Sequence, residues 1–554
     1  MPDIHMHNLA KNKLIYILLF LAAVLFLMNS TYISYPDEFI NILGGRAIIL
    51  GKLPYRDFFD HHMPFAWYLA SSILLFTKQN YVLFRIGWGL IQAVGVVLLG
   101  LLIARKYPKF ALIYGLWAVL YATAAMYFWL HLFLGDSLAV LFFSGAFWLL
   151  LLETSYPTHA RWLRIGITCM ISLMIFSSLS YLYIGLIMYA WVGLLAINTR
   201  THENVHAKNR MKEVLILMFA IIAPYALYAL YLLITATAKD FWFANFTYNT
   251  KLYINIANYS AVASSFNPLR FALTVINNFW QSYLPLLSQL AYVSFYSPVS
   301  RLVALGTLMT ALYLCYKKPL FGLIYLALLS FSAPRSSQLV DMKQTDYQMG
   351  LFIIMGTISA AFVLYQLLCN LDTKSFFVKF WRSIVCFFLL MYFAFTLAFM
   401  LQNTLSIRYQ RYMGMLPPTT NISDIADFVT RWIESTDTYW IGPYEGHHSF
   451  YVKKGHTAGK YPSLLPQFRE NDFLKNDFLH EMEMANPKMI IFHHEASIFQ
   501  TPANEFGAFF LDWMKGKYVN CVEAKIACKS EVSGINVRED VYLRLDSKDL
   551  FKQM

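Results

Sequence analysis

The sequence predicts a polytopic α-helical membrane protein with a small α/β domain at its C-terminus, and three observations predict it. The 554 residues are 58% hydrophobic and only 14% charged, where soluble domains carry roughly 25% charge. Apolar runs near the roughly 17–25 residues needed to cross a bilayer recur as far as residue 402. Beyond that point the pattern changes: residues 403–554 hold 17 Lys/Arg and 19 Asp/Glu, with short apolar strands between amphipathic stretches. The net charge of +12 therefore divides into −2 for the tail and +14 for the rest. A basic excess confined to the membrane part is what loop orientation produces. No basic stripe interleaved with stacking aromatics lies outside the apolar runs, so nucleic acid is not an expected partner.

Lys11 and Lys13 precede LIYILLFLAAVLFLM, as in a signal sequence, but no small-residue cleavage site follows. This reads as an uncleaved first span over 14–32. Ten more follow at 86–104, 110–128, 137–152, 165–180, 182–197, 214–234, 302–316, 319–333, 349–369 and 383–402. With the N-terminus in the cytoplasm, the inner segments hold 16 Lys/Arg in 61 residues and the outer loops 11 in 144. That difference in density favours this orientation over its inverse. Residues 64–77 are short for a crossing, and counting them as a span would put Arg105, Lys106 and Lys109 outside. They read as a helix in the outer interface, as do residues 281–296.

Eleven spans leave the C-terminus outside, so the domains are 1–402, with a first outer loop over 33–85, and an extracytoplasmic 403–554. The tail is the size of one globular domain. Ser423-Asp424 starts a helix, TYWIG and PKMIIF are strands, residues 470–485 and 503–516 are helical, and VYLRL is a last strand. Cys169, Cys315, Cys369 and Cys386 lie in or beside apolar runs and read as packing residues. Cys521 and Cys528 can pair if the tail lies in an oxidising compartment, or stay as thiols.

The chemistry concentrates in Pro36–Leu69. Asp37-Glu38 opens a stretch in which Phe39, Ile42, Leu43, Ala47 and Leu50 recur at helical spacing. Carboxylates suit a helix N-terminus, which is the plain reading. The functional one is a general base beside a membrane-embedded substrate. Tyr55 and Arg56 supply a phenol and a permanent cation fitted to phosphate. Asp60-His61-His62 is a polar turn, or a holder of a divalent cation or phosphate, though its spacing is no standard zinc signature. Asp136 in FLGDSL, five residues after His131, starts a span in a short, nearly apolar loop. There it is either a solvated acid or one facing a cavity. Arg335 and Lys343 in PRSSQLVDMKQTDYQ are interfacial anchors or cations for a lipid phosphate. Residues 245–253, NFTYNTKLY, fit an aromatic belt or a sugar site, and Asn245-Phe246-Thr247 matches the glycosylation sequon.

These residues in this layout resemble the GT-C superfamily of integral-membrane glycosyltransferases, in the branch of protein O-mannosyltransferases and lipid A aminoarabinose transferases. Asp37-Glu38 follows the first span, Gly-Lys-Leu-Pro-Tyr-Arg-Asp occupies 51–57, and Asp60-His61-His62-Met63-Pro64 is similar to that branch's Asp-x-His-Pro-Pro element. Met63 departs from the second proline. Asp136 resembles the branch's second acid. Past residue 402 the likeness is architectural only. The resemblance implies a polyprenyl-phosphate sugar as donor, a lipid, glycan or protein hydroxyl as acceptor, and transfer with inversion at the outer face of the cell (inner or plasma) membrane. In that scheme Asp37 is the base, and Glu38 and Asp136 complete the catalytic set by positioning acceptor or donor. Tyr55, Arg56, His61, His62, Arg335 and Lys343 bind the donor phosphate. No cofactor is required, though Asp60 and His61 leave room for a divalent cation.

Two other classes compete. A transporter or flippase of a lipid-linked sugar predicts ionisable residues at mid-membrane and inverted halves, whereas these acids sit at the ends of apolar runs. A non-catalytic scaffold predicts that Asp37 and Asp136 are dispensable for transfer.

Overall fold

The computed structural model describes residues 2–32, 34–126, 128–158, 160–198, 207–253, 273, 297–336, 350–369, 376–413, 423–528 and 530–554. Every one of the eleven apolar runs falls on a helix. In order these are α1 (Pro2–Asn29), then, past α2 (Pro36–Ile49) and α3 (Phe65–Thr77), α4 (Tyr81–Lys106), α5 (Ala111–Ala124), α6 (Gly135–Ser155), α7 (Arg161–Ser177), α8 (Leu182–Asn198) and α9 (Ala207–Ile234). The last four are Ser297–Lys317, Pro319–Ser336, Gly350–Cys369 and Phe376–Tyr412. Among the described residues, four helical stretches are long and apolar enough to cross a membrane: Tyr81–Lys106, Gly135–Ser155, Leu179–Ile197 and Met211–Ile234. The predicted run 110–128 is helical only to Ala124. Residues 281–296 lie outside the described residues.

The chain forms two compact units. One contains Met1–Ile33, Val82–Tyr228 and Asn267–Thr419; the other contains Ser34–Tyr81, Ala229–Phe266 and Thr420–Met554. Residues Ser34–Tyr81 therefore cluster with the C-terminal residues, and the compact units are not divided at 402/403.

The first unit is a bundle of apolar helices. Along α1 the residues Ile15, Leu19, Ala22, Leu25 and Phe26 are buried, while Ile17, Phe20 and Leu21 on other faces are exposed. The buried set recurs every three or four residues, which lines one helix face against α5. Exposed apolar side chains also cover the part of α9 in this unit, where Leu215, Phe219, Ile222 and Leu227 each stand more than half exposed. A surface of that kind suits a hydrocarbon solvent better than water.

The second unit carries an α/β fold. Its strands are β1 (Thr438–Gly442), β2 (His456–Thr457), β3 (Met489–Phe492), the hairpin pair β4 (Ser497–Ile498) and β5 (Thr501–Pro502), β6 (Tyr518–Val519) and β7 (Val541–Arg544), and all but the hairpin form one sheet of order β2-β1-β3-β7-β6. Strand β1 runs parallel to β2 and β3, while β7 is antiparallel to β3 and to β6. TYWIG, PKMIIF and VYLRL thus contribute β1, β3 and β7. Each is apolar on both faces because the sheet is covered on both sides. Ser423 caps the helix Asp424–Trp432 by accepting from the Ala426 N–H at 3.0 Å. The stretch 503–516 breaks at Gly507, where an added Cβ would lie 2.6 Å from the Phe492 ring. Cys521 and Cys528 form a disulfide.

Within this unit α2 and α3 pack at close range. An added Cβ on Gly45 would meet the Ala70 Cβ at 2.6 Å and the Ser71 nitrogen at 2.7 Å, and one on Gly44 would meet Trp67 at 2.7 Å. Helix α3 has 13 residues, or about 20 Å at 1.5 Å per residue, against a hydrocarbon core of about 30 Å. Its buried residues, including Trp67, Ala70, Ser71 and Leu74, pack inward while Phe76 stands 90% exposed.

Candidate active site

Pro36 occupies the head of α2, where a missing N–H costs nothing, and Asp37 and Glu38 fill the first turn. Successive helical residues point about 100° apart, and that separates the two carboxylates. Glu38 is fully buried, and its Oε2 accepts from the Tyr81 hydroxyl at 2.7 Å. Asp37 is half-buried, and its Oδ1 accepts from the Tyr444 hydroxyl. Next to it, burial and then the Asp37 charge push the Tyr35 phenol up to about 12. Phe39 stacks on Tyr81 at 4.8 Å and closes the space behind the pair.

The loop after α2 folds onto the same unit. Tyr55 adopts a positive φ of 68°, is buried, and donates its hydroxyl to the His62 carbonyl at 2.9 Å. Its ring packs edge-on against Trp67 at 5.2 Å. Arg56 forms a two-pronged pair with Asp57, Nε to Oδ1 at 2.7 Å and Nη2 to Oδ2 at 3.0 Å. In this arrangement Tyr55 braces the turn and the Arg56 guanidinium is engaged by its neighbour, which was not foreseen.

Asp60 is buried, and its Oδ1 accepts from the His61 backbone N–H at 2.6 Å and meets His62 Nδ1 at 2.7 Å. Its Oδ2 is buried without a hydrogen bond. Burial alone would raise the Asp60 pKa, but His62 and His61 outweigh it and hold the carboxyl below its usual range. Burial, helped by the neighbouring His62, lowers His61 to about 3. The donor atoms of Asp60, His61 and His62 lie within 4.8 Å of one another, a spacing open to a metal ion.

Asp60 also lines a cavity of about 250 Å³ together with Arg46, Lys52, Phe58, Trp440 and Lys460. Two of the cations are already engaged. Arg46 donates to the Ser449 and Phe450 carbonyls at 3.2 Å each, and Lys460 pairs with Asp477 at 2.6 Å. The Phe59 N–H donates to the Lys460 carbonyl at 2.8 Å, which ties the first loop to the strand region.

The C-terminal residues contribute a cluster that the sequence reading passed over. Glu445, His447 and His448 lie on the 3₁₀ turn Glu445–Phe450, and His493 follows β3. Burial opposes the Glu445 charge, but His448, His447 and His493 overcome it and bring the carboxyl down to about 2. Burial, together with His448, lowers His447 to about 4. The signal available in the sequence was the density of ligand-type residues in EGHH and in FHHE.

Asp136 belongs to the other unit. It lies in the first turn of α6, and its Oδ1 accepts from the Tyr181 hydroxyl at 2.5 Å. Nearby, an added Cβ on Gly135 would fall 2.5 Å from the Ser177 carbonyl oxygen. Arg335 falls in the last turn of the helix Pro319–Ser336, and Lys343 lies outside the described residues. Residues Phe243–Tyr253 form a π-helix that follows the short α10 (Ala238–Trp242). Within it Asn245 is 2% exposed, which closes the sequon in the folded chain. No protein-family model matches the chain, and no curated protein matches it.

Proposed function

We propose that the protein is a membrane glycosyltransferase that moves a sugar from a polyprenyl-phosphate donor to an acceptor hydroxyl, with Asp37 as general base. One observation carries the reading: of two adjacent carboxylates at the head of a helix just after an apolar segment, Glu38 is sealed and Asp37 stays within reach. A base must touch the proton it removes. Asp37 takes the acceptor hydroxyl proton, the acceptor oxygen bonds to the anomeric carbon from the face opposite the phosphate, and the carbon–phosphate-oxygen bond breaks. The lipid phosphate leaves as an anion and needs cations more than it needs an acid. His62 is assigned to that phosphate. Glu38 acts through Tyr81 as a positioning residue, and a divalent ion used in transfer would sit at Asp60 and His61.

The reading also sets eleven spans, a cytoplasmic N-terminus and an extracytoplasmic 403–554. Support for the last comes from the Cys521–Cys528 disulfide, since such bonds persist in oxidising compartments. The test is Asp37→Asn in membranes supplied with radiolabelled polyprenyl-phosphate sugars. Transfer should fall by about 10²–10⁴-fold with unchanged expression and melting temperature; unchanged transfer rejects Asp37 as the base.

A further inference from the structure

We propose that Glu445, His447, His448 and His493 form a binding site for one divalent transition-metal ion of the zinc class. Parallel pairing brings them together: Gly442, the last residue of β1, registers with Phe492, the last of β3. The segments leaving the two strands therefore emerge side by side at the carboxyl edge of the parallel sheet, where ligand sites form in open α/β folds. The His493 N–H donates to the Gly442 carbonyl at 2.9 Å and fixes that junction. The next residue, His494, faces elsewhere and is engaged by Asn504 and Tyr542.

The distances suit ligands of a shared ion, and His493 Nδ1 also lies within hydrogen-bond reach of Glu445 Oε1. Glu445 Oε2 lies 3.4 Å from His448 Nε2 and 3.8 Å from His447 Nδ1, while its Oε1 lies 3.4 Å from His493 Nδ1. Charge-assisted hydrogen bonds shorten to about 2.7–2.9 Å. Ligands that share one tetrahedral zinc at about 2.0–2.1 Å lie about 3.3 Å apart. His447 Nδ1 is buried without a hydrogen bond, as a lone pair awaiting an ion would be. His448 Nδ1 lies 2.7 Å from the Ser423 hydroxyl. That outer contact can fix its tautomer and leave Nε2 for the metal. Glu445, His447 and His448 hold donor atoms within 4.8 Å of one another, a two-imidazole, one-carboxylate set that leaves a fourth position for water or for His493, which stands on the other carboxylate oxygen. Its ion would pin the turn next to Tyr444, whose hydroxyl reaches Asp37. The inference stands on this cluster alone and survives if the transferase reading fails.

The test uses the full chain in detergent micelles, stripped with EDTA and titrated with Zn²⁺ and with Co²⁺. We expect one ion held at this cluster, with the intense visible absorption of tetrahedral Co²⁺. Binding should weaken by more than about 100-fold in the His448→Ala, His493→Ala double variant and persist in Asp60→Asn. Zn²⁺ should also protect His447, His448 and His493 of the unaltered protein from diethyl pyrocarbonate, read by mass spectrometry. That measurement needs no variant to fold. No stoichiometric binding, binding retained in the double variant, binding lost only in Asp60→Asn, or no protection would each overturn the assignment.

Discussion

Asp37 and Glu38 share one chemistry and differ by one helical step, yet one accepts from Tyr81 inside the fold and the other from Tyr444 near its edge. If Asp37 is the base, Tyr444 holds the carboxylate in its working orientation. Hydrogen bonds to charged groups contribute about 1.5–3 kcal/mol, so Tyr444→Phe should lower kcat about 10- to 100-fold while KM for the acceptor changes little. A purely structural role would instead lower the melting temperature without that split. Asp437 gives a pH prediction. Burial raises its pKa, but the Lys488 ammonium at 2.7 Å and the Glu434 N–H at 2.9 Å prevail and hold it below the usual value. Its stabilisation is therefore present above about pH 4, the unfolded value, and fades as pH falls through the lower folded one. Asp437→Asn should cost about 1 kcal/mol near neutrality and flatten the loss of stability below pH 4, both read from melting temperatures across pH.

At the scale of elements, the α2–α3 contact depends on small residues. Gly45→Ala puts a methyl against the backbone of Ser71, which cannot rotate away. Overpacking of this kind costs about 1–3 kcal/mol and should show as an earlier melting transition; an unchanged transition would mean that the helices part easily. Elements of this size were legible in the sequence. Apolar runs, the Ser423 cap, the α2 periodicity and the strands around Tyr439, Ile490 and Leu543 are local signals, and each produced an element near its expected place. Strands β2 and β6 were not legible, because two residues cannot display an alternation. Nor was the meeting of Glu445 with His493, which depends on the parallel register of β1 and β3. The same limit applied at the first loop. The sequence singled out Tyr55 and Arg56 by type, but whether they are spent on His62 and Asp57 is decided by backbone path.

For the whole molecule, topology is the decisive prediction. A periplasmic-type reporter fused after Met554 should be active, and Cys521 and Cys528 should resist alkylation until the protein is reduced, read by mass spectrometry. A cytoplasmic reporter signal would remove a span from the count of eleven and turn the proposed site to the other face. The unit that joins Ser34–Tyr81 to Thr420–Met554 has a further consequence for how the protein is made. The first of these segments leaves the ribosome some 340 residues before the second begins. At 5–20 residues per second that is a wait of roughly 20–70 s. During that time Phe39 lacks Phe450 and Tyr451, and Phe59 lacks Tyr461, which pack against them in the finished fold. A chain stopped before residue 420 should therefore present a sticky, half-built loop to chaperones and proteases, and the cell should clear it faster than the finished product.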